Sequence, residues 1–262
     1  MNVRFELAGA PVHPTIRRVS FPPSAPPLND VDRVLVITAH PDDVDFAAAG
    51  TIARWTDAGI EVAYCIATRG DAGGFDDTPR DQMPLLREAE QRAAAEAVGV
   101  KDVTFLDYPD GALYVTHELR RDLSRAIRRF RPDRLLTMSP VRNWARLGPS
   151  HPDHVNIGEA AFCAVYPDAR NAFAHPELLG DEGLEPWAVR EVWFTGAPGA
   201  DHPVDITDTV DRKLAALRAH VSQTAHNPGL FDMVRRFLAA NATAAGLPEG
   251  RLVELFTVVR TS

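Results

Sequence analysis

The sequence predicts an α/β fold with a Rossmann-like, mostly parallel sheet that is flanked by helices. Apolar runs rich in β-branched residues, of which 34–38 is the first, are typical of strands buried on both faces. These runs alternate with helical stretches, and such alternation predicts right-handed crossovers between parallel strands. Because ligands bind such sheets at the carboxyl ends of the strands, the active site is expected there.

The predicted elements follow one another along the chain. Strands are predicted at 34–38, 62–68, 103–106, 134–138, 191–195 and 252–259. Helices are predicted at 44–57, 85–98, 117–130, 152–165 and 209–221. Gly59 and Gly99 follow the first two helices, and a glycine in that position commonly ends a helix.

The segment 1–32 differs in composition from the rest of the chain. It is rich in proline, with pairs at 22–23 and 26–27, and proline is poorly tolerated inside helices and sheets. We therefore predict an N-terminal extended arm that wraps the domain surface. Residues 33–262 are predicted to form a single α/β domain, because neither a linker nor an internal repeat divides them. Within it, the segment 167–190 is predicted to form a lid or an oligomer contact.

The bulk composition excludes several classes of protein. A formal net charge of −8 argues against a general nucleic-acid binder, which needs a dense basic face. No signal pattern and no apolar run of about 20 residues is present, so a cytoplasmic protein without a membrane partner is expected. Cys65 and Cys163 lie in apolar surroundings and are predicted to be buried thiols. The content of alanine and arginine is typical of a high-GC bacterial genome, and a homo-oligomer is compatible with the sequence.

Two similar segments stand where a predicted strand leads to a helix. Residues 40–43 read His-Pro-Asp-Asp, and residues 151–154 read His-Pro-Asp-His. One such segment is often only a turn with a capping aspartate. Two of them at the same edge of a parallel sheet are a stronger indication of a site, because crossovers can bring the strand ends together.

The residue types in these segments suit a catalytic zinc ion. Two imidazoles and one carboxylate leave a coordination position open for water, and a further carboxylate can act as general base. The same set can hold Fe(II) in an oxygenase, but those sites usually lie on antiparallel barrels. Two-metal phosphoesterases generally need more bridging carboxylates than these segments supply.

The sequence resembles the PIG-L/LmbE family of zinc N-deacetylases. The resemblance runs from about residue 33 to 225, and its main motifs are 39–43 (Ala-His-Pro-Asp-Asp) and 151–154. Further matching positions are Asp45-Phe46, Gly50-Thr51, Arg69-Gly70-Asp71, Arg87, Glu90, Asp205-Ile206-Thr207, Lys213 and His220-Val221-Ser222-Gln223.

The resemblance implies a metal and an activity. It makes His40, Asp43 and His154 the ligands of Zn²⁺, with Fe²⁺ as another candidate metal. It implies a metal-dependent amidase that removes an N-acyl group, expected to be acetyl, from an amino sugar, glycoconjugate or thiol conjugate. The partner is thus a small molecule. The alternative is a catalytically inactive, sugar- or metabolite-binding relative of the same fold.

The resemblance also implies catalytic roles for three further residues. Asp42 corresponds to the general base. His151 corresponds to the residue that polarises or protonates the tetrahedral intermediate, and Asp153 to the residue that orients His151. Two positions depart from the family pattern: Asp45 replaces a glutamate found in many members, and Pro149 replaces a tyrosine found in some.

Other residues are weaker candidates. Asp71, Arg87 and Trp144 are predicted substrate contacts; the alternatives are a turn for Asp71, a pairing with Glu90 for Arg87 and a core position, the more frequent one for tryptophan, for Trp144. Asp45 and His220 are predicted to support the metal ligands from behind. The predicted walls of the pocket are the loops 69–84, 108–116, 139–150 and 167–186.

Overall fold

The computed structural model of the protein describes residues 24–261. Residues 1–23 of the predicted arm, 1–32, therefore lie outside the described residues. The remaining part of the arm contains neither helix nor strand and is hydrogen-bonded to the main domain. The Ala25 N–H donates to the Val258 carbonyl (2.9 Å), and the Leu28 N–H donates to the Glu191 carboxylate (2.8 Å).

A sheet of seven strands lies at the centre of the described chain. The strands are β1 (Arg33–Thr38), β2 (Glu61–Thr68), β3 (Asp102–Tyr108), β4 (Arg134–Met138), β5 (Glu191–Thr195), β6 (His202–Asp205) and β7 (Val253–Arg260). Their order is β3-β2-β1-β4-β5-β7-β6, in which β1 to β5 pair in parallel and β7 is antiparallel to both neighbours. The predicted mostly parallel sheet is confirmed.

Helices cover both faces of this sheet. They are α1 (Asp43–Asp57), α2 (Met83–Ala97), α3 (His117–Phe130), α4 (Pro152–Cys163), α5 (Pro176–Gly180), α6 (Val210–Ala219), α7 (Val221–Thr224) and α8 (Leu230–Ala244). Helices α1, α2 and α6 pack on one face, and α3 and α4 pack on the other. None of the helices within residues 24–261 is both long enough and apolar enough to span a bilayer.

The inner strand β1, which lies between β2 and β4, is buried on both faces, as its composition predicted. Val34 and Val36 belong to the core under α1, whereas Leu35 and Ile37 belong to the core under α3 and α4. Successive side chains of a strand point to opposite faces, so an unbroken apolar run fits only a strand that is covered twice. The carboxyl end of β1 is consequently held between two layers of helices.

Several elements were not predicted from the sequence. These are β6, α5, α7 and α8, and the predicted helix 152–165 also ends earlier than expected, at Cys163. A distorted helical turn follows, in which Tyr166 is extended (φ −144°, ψ 117°). Tyr166 precedes Pro167, and a residue before proline is disfavoured in helical conformation.

The segment 167–190 packs against α3, and its role as a lid or an oligomer contact stays a prediction. The Arg128 guanidinium of α3 donates to the carbonyls of Ala169 (3.1 Å) and Asn171 (2.8 Å), and Trp187 Nε1 donates to the Pro132 carbonyl (2.8 Å). Pro132 lies just before the amino end of β4. The segment is thus bound along α3, from His117 at its start, whose ring lies 4.4 Å from that of His175, to Arg128 near its end, and it also reaches the amino side of the sheet.

Gly158 allows α4 to approach the end of β4. A Cβ atom added at Gly158 would lie 2.3 Å from the Met138 carbonyl oxygen, whereas one added at Gly180 meets no atom within 4 Å. We expect Gly158→Ala to lower the free energy of unfolding by about 1–3 kcal/mol through overpacking. Gly180→Ala, the matched control, should change it by less than about 0.5 kcal/mol. Urea denaturation of both variants measures the difference, and equal effects would contradict the close approach.

Candidate active site

The structure brings the two His-Pro-Asp segments together. Residues 40–43 follow β1, and residues 151–154 begin α4 after the loop that follows the neighbouring strand β4. The imidazole nitrogens His40 Nδ1 and His154 Nε2 lie 3.2 Å apart, although the two residues are 114 positions apart in the sequence. The parallel pairing of β1 and β4 explains this, because both strands deliver their following residues to the same edge.

Asp43 completes a triangle with these two imidazoles. Its Oδ1 lies 3.0 Å from His154 Nε2, and its Oδ2 lies 3.4 Å from His40 Nδ1. Two ligands that bind a tetrahedral zinc at about 2.0 Å lie about 3.3 Å from each other. Asp43 is fixed in place because its Oδ2 also accepts a hydrogen bond from the His40 backbone N–H (2.8 Å). The three side chains therefore fit a zinc ion.

The outer nitrogen of each imidazole is anchored. His40 Nε2 lies 3.0 Å from the Asp110 carboxylate and 3.1 Å from the Asp153 carboxylate, and His154 Nδ1 lies 2.9 Å from the Gly148 carbonyl. Because these oxygens only accept, the anchored nitrogens carry the protons. The inner nitrogens, His40 Nδ1 and His154 Nε2, are left free to bind a metal.

Negative charge is in excess around His40. Burial lowers the pKa of its imidazole, but the carboxylates of Asp43, Asp110 and Asp153 raise that pKa to about 12. Three carboxylates around one imidazole favour an additional positive charge in the site. A bound metal cation supplies such a charge.

Two groups of side chains in the described residues have metal-binding spacing. In one, nitrogens of His40, His151 and His154 lie within 4.8 Å of one another; in the other, the same holds for ligand atoms of His40, Asp110 and Asp153. The second group suits a metal less well, because the Asp153 carboxylate already accepts two backbone N–H groups at 2.7 and 3.2 Å. The geometry therefore favours a metal bound at Nδ1 of His40, the nitrogen that faces His154.

The carboxylate of Asp153 does not occupy the place predicted for it. The resemblance implied that it orients His151, whereas it binds His40 Nε2 and the N–H groups of Gly111 and Leu113. Only the Asp153 backbone reaches His151, with an N–H that donates to His151 Nδ1 (3.2 Å). The reason is that Asp153 is fully buried beneath His40, while His151 lies exposed at the rim.

Asp110 was missed by the sequence analysis. It follows β3 in a Pro-Asp-Gly turn at the active edge, and this position was the available signal. Its carboxylate contacts His40 and accepts a hydrogen bond from the Ala72 N–H (3.1 Å), while its own N–H donates to Asp71 (3.1 Å). Asp71 thus joins the two loops that follow β2 and β3, which is the turn role considered above.

Asp42 is held beside the predicted metal ligands in an unusual backbone conformation. Its φ of 89° is left-handed, and such a backbone conformation is retained only where the surroundings enforce it. The Asp42 N–H donates to Gln91 Oε1 (2.7 Å), and its carboxylate accepts from Arg87 Nη2 (3.2 Å). Burial raises the pKa of Asp42 to about 6, and the Arg87 guanidinium opposes this rise.

Arg87 and Trp144 lie in contrasting environments. Arg87 is 4% exposed and also donates to the carbonyls of Pro41 (2.6 Å) and Gly70 (3.1 Å). It does not pair with Glu90, whose carboxylate accepts from Ser222 instead. Trp144 is 81% exposed, so its interpretation as a core residue is wrong. Substrate contact by either side chain stays a prediction.

Asp45 and His220 meet behind the site. Both are fully buried, and His220 Nε2 lies 2.7 Å from Asp45 Oδ2. The same Asp45 oxygen accepts from Gln91 Nε2 (2.9 Å), and Gln91 in turn holds the Asp42 backbone. The aspartate at position 45, although shorter than glutamate, therefore contacts both His220 and Gln91, and Gln91 connects it to the backbone of Asp42.

Comparison with known proteins identifies the family to which the chain belongs. Residues 35–165 match the family described as PIG-L, GlcNAc-PI de-N-acetylase. The chain belongs to the PIG-L family. Over 198 residues it is 36% identical to the diacetylchitobiose deacetylase of Thermococcus kodakarensis, an alignment that covers 75% of this chain and 72% of that protein.

Two further relatives agree with this membership. A probable N-acetyl-alpha-D-glucosaminyl L-malate deacetylase 2 of Bacillus cereus is 33% identical over 201 residues, which cover 73% of this chain and 83% of that protein. The solved structure of the N,N'-diacetylchitobiose deacetylase of Pyrococcus horikoshii superimposes with a TM-score of 0.80 at 29% identity, covering 88% of this chain and 85% of that one. All three relatives of this PIG-L protein are named as deacetylases.

Proposed function

We propose that this PIG-L protein is a zinc-dependent hydrolase that removes an N-acyl group, with acetyl the first candidate, from an amino sugar or its conjugate. The proposal depends on the triangle of His40, Asp43 and His154, because these are side chains of the kind that bind zinc. The carboxylate of Asp42 lies beside this triangle and is not bound to any of the three ligands. The names of the relatives support amide hydrolysis and an N-acetylated sugar as substrate.

Asp42 is the proposed general base. A zinc ion held by His40, Asp43 and His154 would lower the pKa of a bound water and polarise the amide carbonyl. Asp42 accepts the proton of the attacking water, and its own pKa of about 6 suits a base that works near neutral pH. It then returns this proton to the nitrogen of the departing amine, so its protonation state is restored after each turnover.

His151 is the proposed donor to the oxyanion. Burial lowers the pKa of its imidazole, and the nearby imidazoles of His154 and His40 lower it further. Its Nδ1 accepts from the Asp153 N–H, so the neutral tautomer carries its proton on Nε2. A neutral Nε2–H can donate to the oxygen that gains charge in the transition state, and it need not be protonated to do so.

Hydrolysis of N-acetylated sugars tests the proposed function. We expect the zinc-loaded protein to release acetate and free amine from N-acetylglucosamine or N,N'-diacetylchitobiose. The rate should fall to background after treatment with a chelator and return when Zn²⁺ is added. A comparison with Fe²⁺ addition identifies the more active metal. A rate that is unaffected by chelation, or no release at any substrate concentration, would contradict the proposal.

The contact between the Asp153 carboxylate and His40 gives a separate prediction. Removing the charge that orients a metal-binding histidine typically weakens metal binding, so Asp153→Asn should raise the Kd for zinc by about 10–100-fold. Competition with a chromophoric chelator measures this change. His151→Ala is the comparison variant and should lower the rate with little change in zinc affinity. If Asp153 instead acted on His151, both variants would retain zinc equally.

A further inference from the structure

A groove of about 530 Å³ opens at the proposed metal ligands, and Asp42 is not among the residues that line it. It lies between α1 and α8, and we call it the α1–α8 groove. Asp43 and His154 line its inner end. Its walls are mainly apolar and include Phe46, Ala47, Met138, Pro149, Ala200 and Phe237.

The helix α1 connects the metal site to this groove. Asp43, Phe46 and Ala47 are spaced by three and four positions, so they lie on one face of the helix. The opposite wall comes from α8, where Phe237 and Leu238 face the groove. Helix α8 lies outside residues 35–165, the part of the chain that matches the family model.

The polar side chains of the groove include Arg146, whose guanidinium lies 4.2 Å from the centre of the Phe237 ring, and several groups that are hydrogen-bonded within the protein. The Glu254 carboxylate accepts from the Lys213 ammonium (2.8 Å), and the Thr195 hydroxyl donates to a strand carbonyl (3.4 Å). The Asn241 amide donates to another strand carbonyl (3.1 Å). Apart from the Arg146 guanidinium, an occupant therefore meets mainly apolar surface, which is typical of a site for an apolar ligand.

The chemistry of the reaction decides which part of a substrate enters. The carbonyl carbon of the amide bears an oxygen, the amine and the acyl substituent. Asp42 must reach the amine nitrogen to return the proton, so the amine and its sugar lie on the side of Asp42, Arg87 and Asp110, none of which lines the groove. The acyl substituent then points to the other side, past Asp43 and His154.

We propose that the α1–α8 groove binds an unbranched apolar acyl chain that is longer than acetyl. This inference rests on the proposed function and specifies its substrate class as N-acylated amino sugars of medium chain length. A cavity of 530 Å³ lies within the range of about 300–1,000 Å³ that holds drug-sized ligands, far more than one methyl group needs. Each methylene that the groove removes from water should increase kcat/KM by about fourfold.

A series of N-acyl glucosamines tests this proposal. The full-length zinc-loaded protein is assayed with acetyl, butyryl, hexanoyl and octanoyl derivatives, and the release of glucosamine is measured. We expect kcat/KM to rise with chain length until the groove is filled. A maximum at acetyl with a steady fall for longer chains would contradict the groove assignment alone. Absence of glucosamine from every derivative would overturn the proposed function as well.

Binding of the carboxylate product gives a readout without turnover. Hexanoate and acetate have the same head group, so isothermal titration compares only their tails. The groove predicts that hexanoate binds more tightly, by up to about fourfold for each of its additional methylenes. Equal dissociation constants for the two carboxylates would contradict an apolar subsite.

Variants of α8 distinguish an effect of the groove on the rate from an effect of the metal site. Phe237→Ala removes a ring that lines the groove and is 41% exposed, so the fold should tolerate the change. We expect the ratio of kcat/KM for octanoyl to that for acetyl to fall by about tenfold. Met233→Ala, the matched control, truncates an exposed apolar residue of α8 that does not line the groove. Equal ratios in the two variants would contradict the proposal.

A second variant acts by blocking the groove. Ala200→Trp adds volume to the groove wall at a partly buried position outside the helices and strands. It should lower the same ratio, and Ala239→Trp, at an exposed position of α8 that does not line the groove, should leave it unchanged. If Ala200→Trp raised the ratio or left it unchanged, the acyl chain would have to lie elsewhere.

Discussion

His40→Ala is expected to lose the metal and the activity together. His40 offers Nδ1 to the proposed zinc site and donates from Nε2 to Asp110 and Asp153, so its removal takes away one ligand of three and leaves the carboxylates without their partner. Zinc content after dialysis should fall from one equivalent to near zero. The rate should fall by at least about a thousandfold, because the reaction loses both Lewis-acid and water activation.

His226→Ala is the control for this experiment. His226 is exposed and stacks on Phe75, with ring centroids 3.7 Å apart, so its loss should alter neither zinc content nor rate. Measuring zinc by mass spectrometry alongside circular dichroism distinguishes loss of metal from loss of fold. A folded His40→Ala protein that keeps one equivalent of zinc would contradict the assignment of this ligand.

The elements that were predicted accurately carry strong local signals. Helix α3 begins and ends where the sequence indicated, because the Thr116 hydroxyl accepts from the Leu119 N–H at its start and Arg131 adopts a left-handed conformation at its end. The boundaries of β4 and β5 were also correct. Each is a short apolar run between polar residues, and each is completely buried.

What the sequence did not reveal depends on distant partners. The Asp153 carboxylate could orient His151, its near neighbour, or His40, which lies 113 positions away, and only the paired ends of β1 and β4 decide in favour of His40. For Arg87 the sequence offered a substrate contact or a pairing with Glu90, whereas burial under the loop after β2 places its guanidinium against Gly70 and Asp42. Local pattern contains no information on such long-range contacts.

The second half of the chain fixes the start of α1 from behind. Lys213 of α6 donates to the carbonyls of Asp45 and Phe46 (both 2.8 Å), and Glu254 of β7 accepts from the Thr51 N–H (2.8 Å). These contacts hold the first turns of the helix that presents Asp43. Lys213 and Glu254 lie outside residues 35–165, so the structure that positions the proposed metal ligands extends beyond the part of the chain that matches the family model.

Asp42→Asn is expected to abolish turnover while the zinc remains bound. Asparagine tolerates a positive φ better than most residues, so the backbone at φ 89° and the hydrogen bond to Gln91 should persist. What disappears is the ability to accept a proton from water and return it to the amine. Loss of general acid–base catalysis lowers kcat by about 10²–10⁴-fold.

The measurement combines zinc content with steady-state kinetics. We expect one equivalent of zinc, a nearly unchanged KM and a strongly reduced kcat, because an uncharged amide in place of the carboxylate affects the proton transfer more than the binding of the sugar. Asp232→Asn makes the same chemical change at an exposed position of α8 and should have wild-type kinetics. If Asp42→Asn kept both its zinc and its full kcat, the base would have to be another residue, and Asp110 is the next carboxylate beside His40.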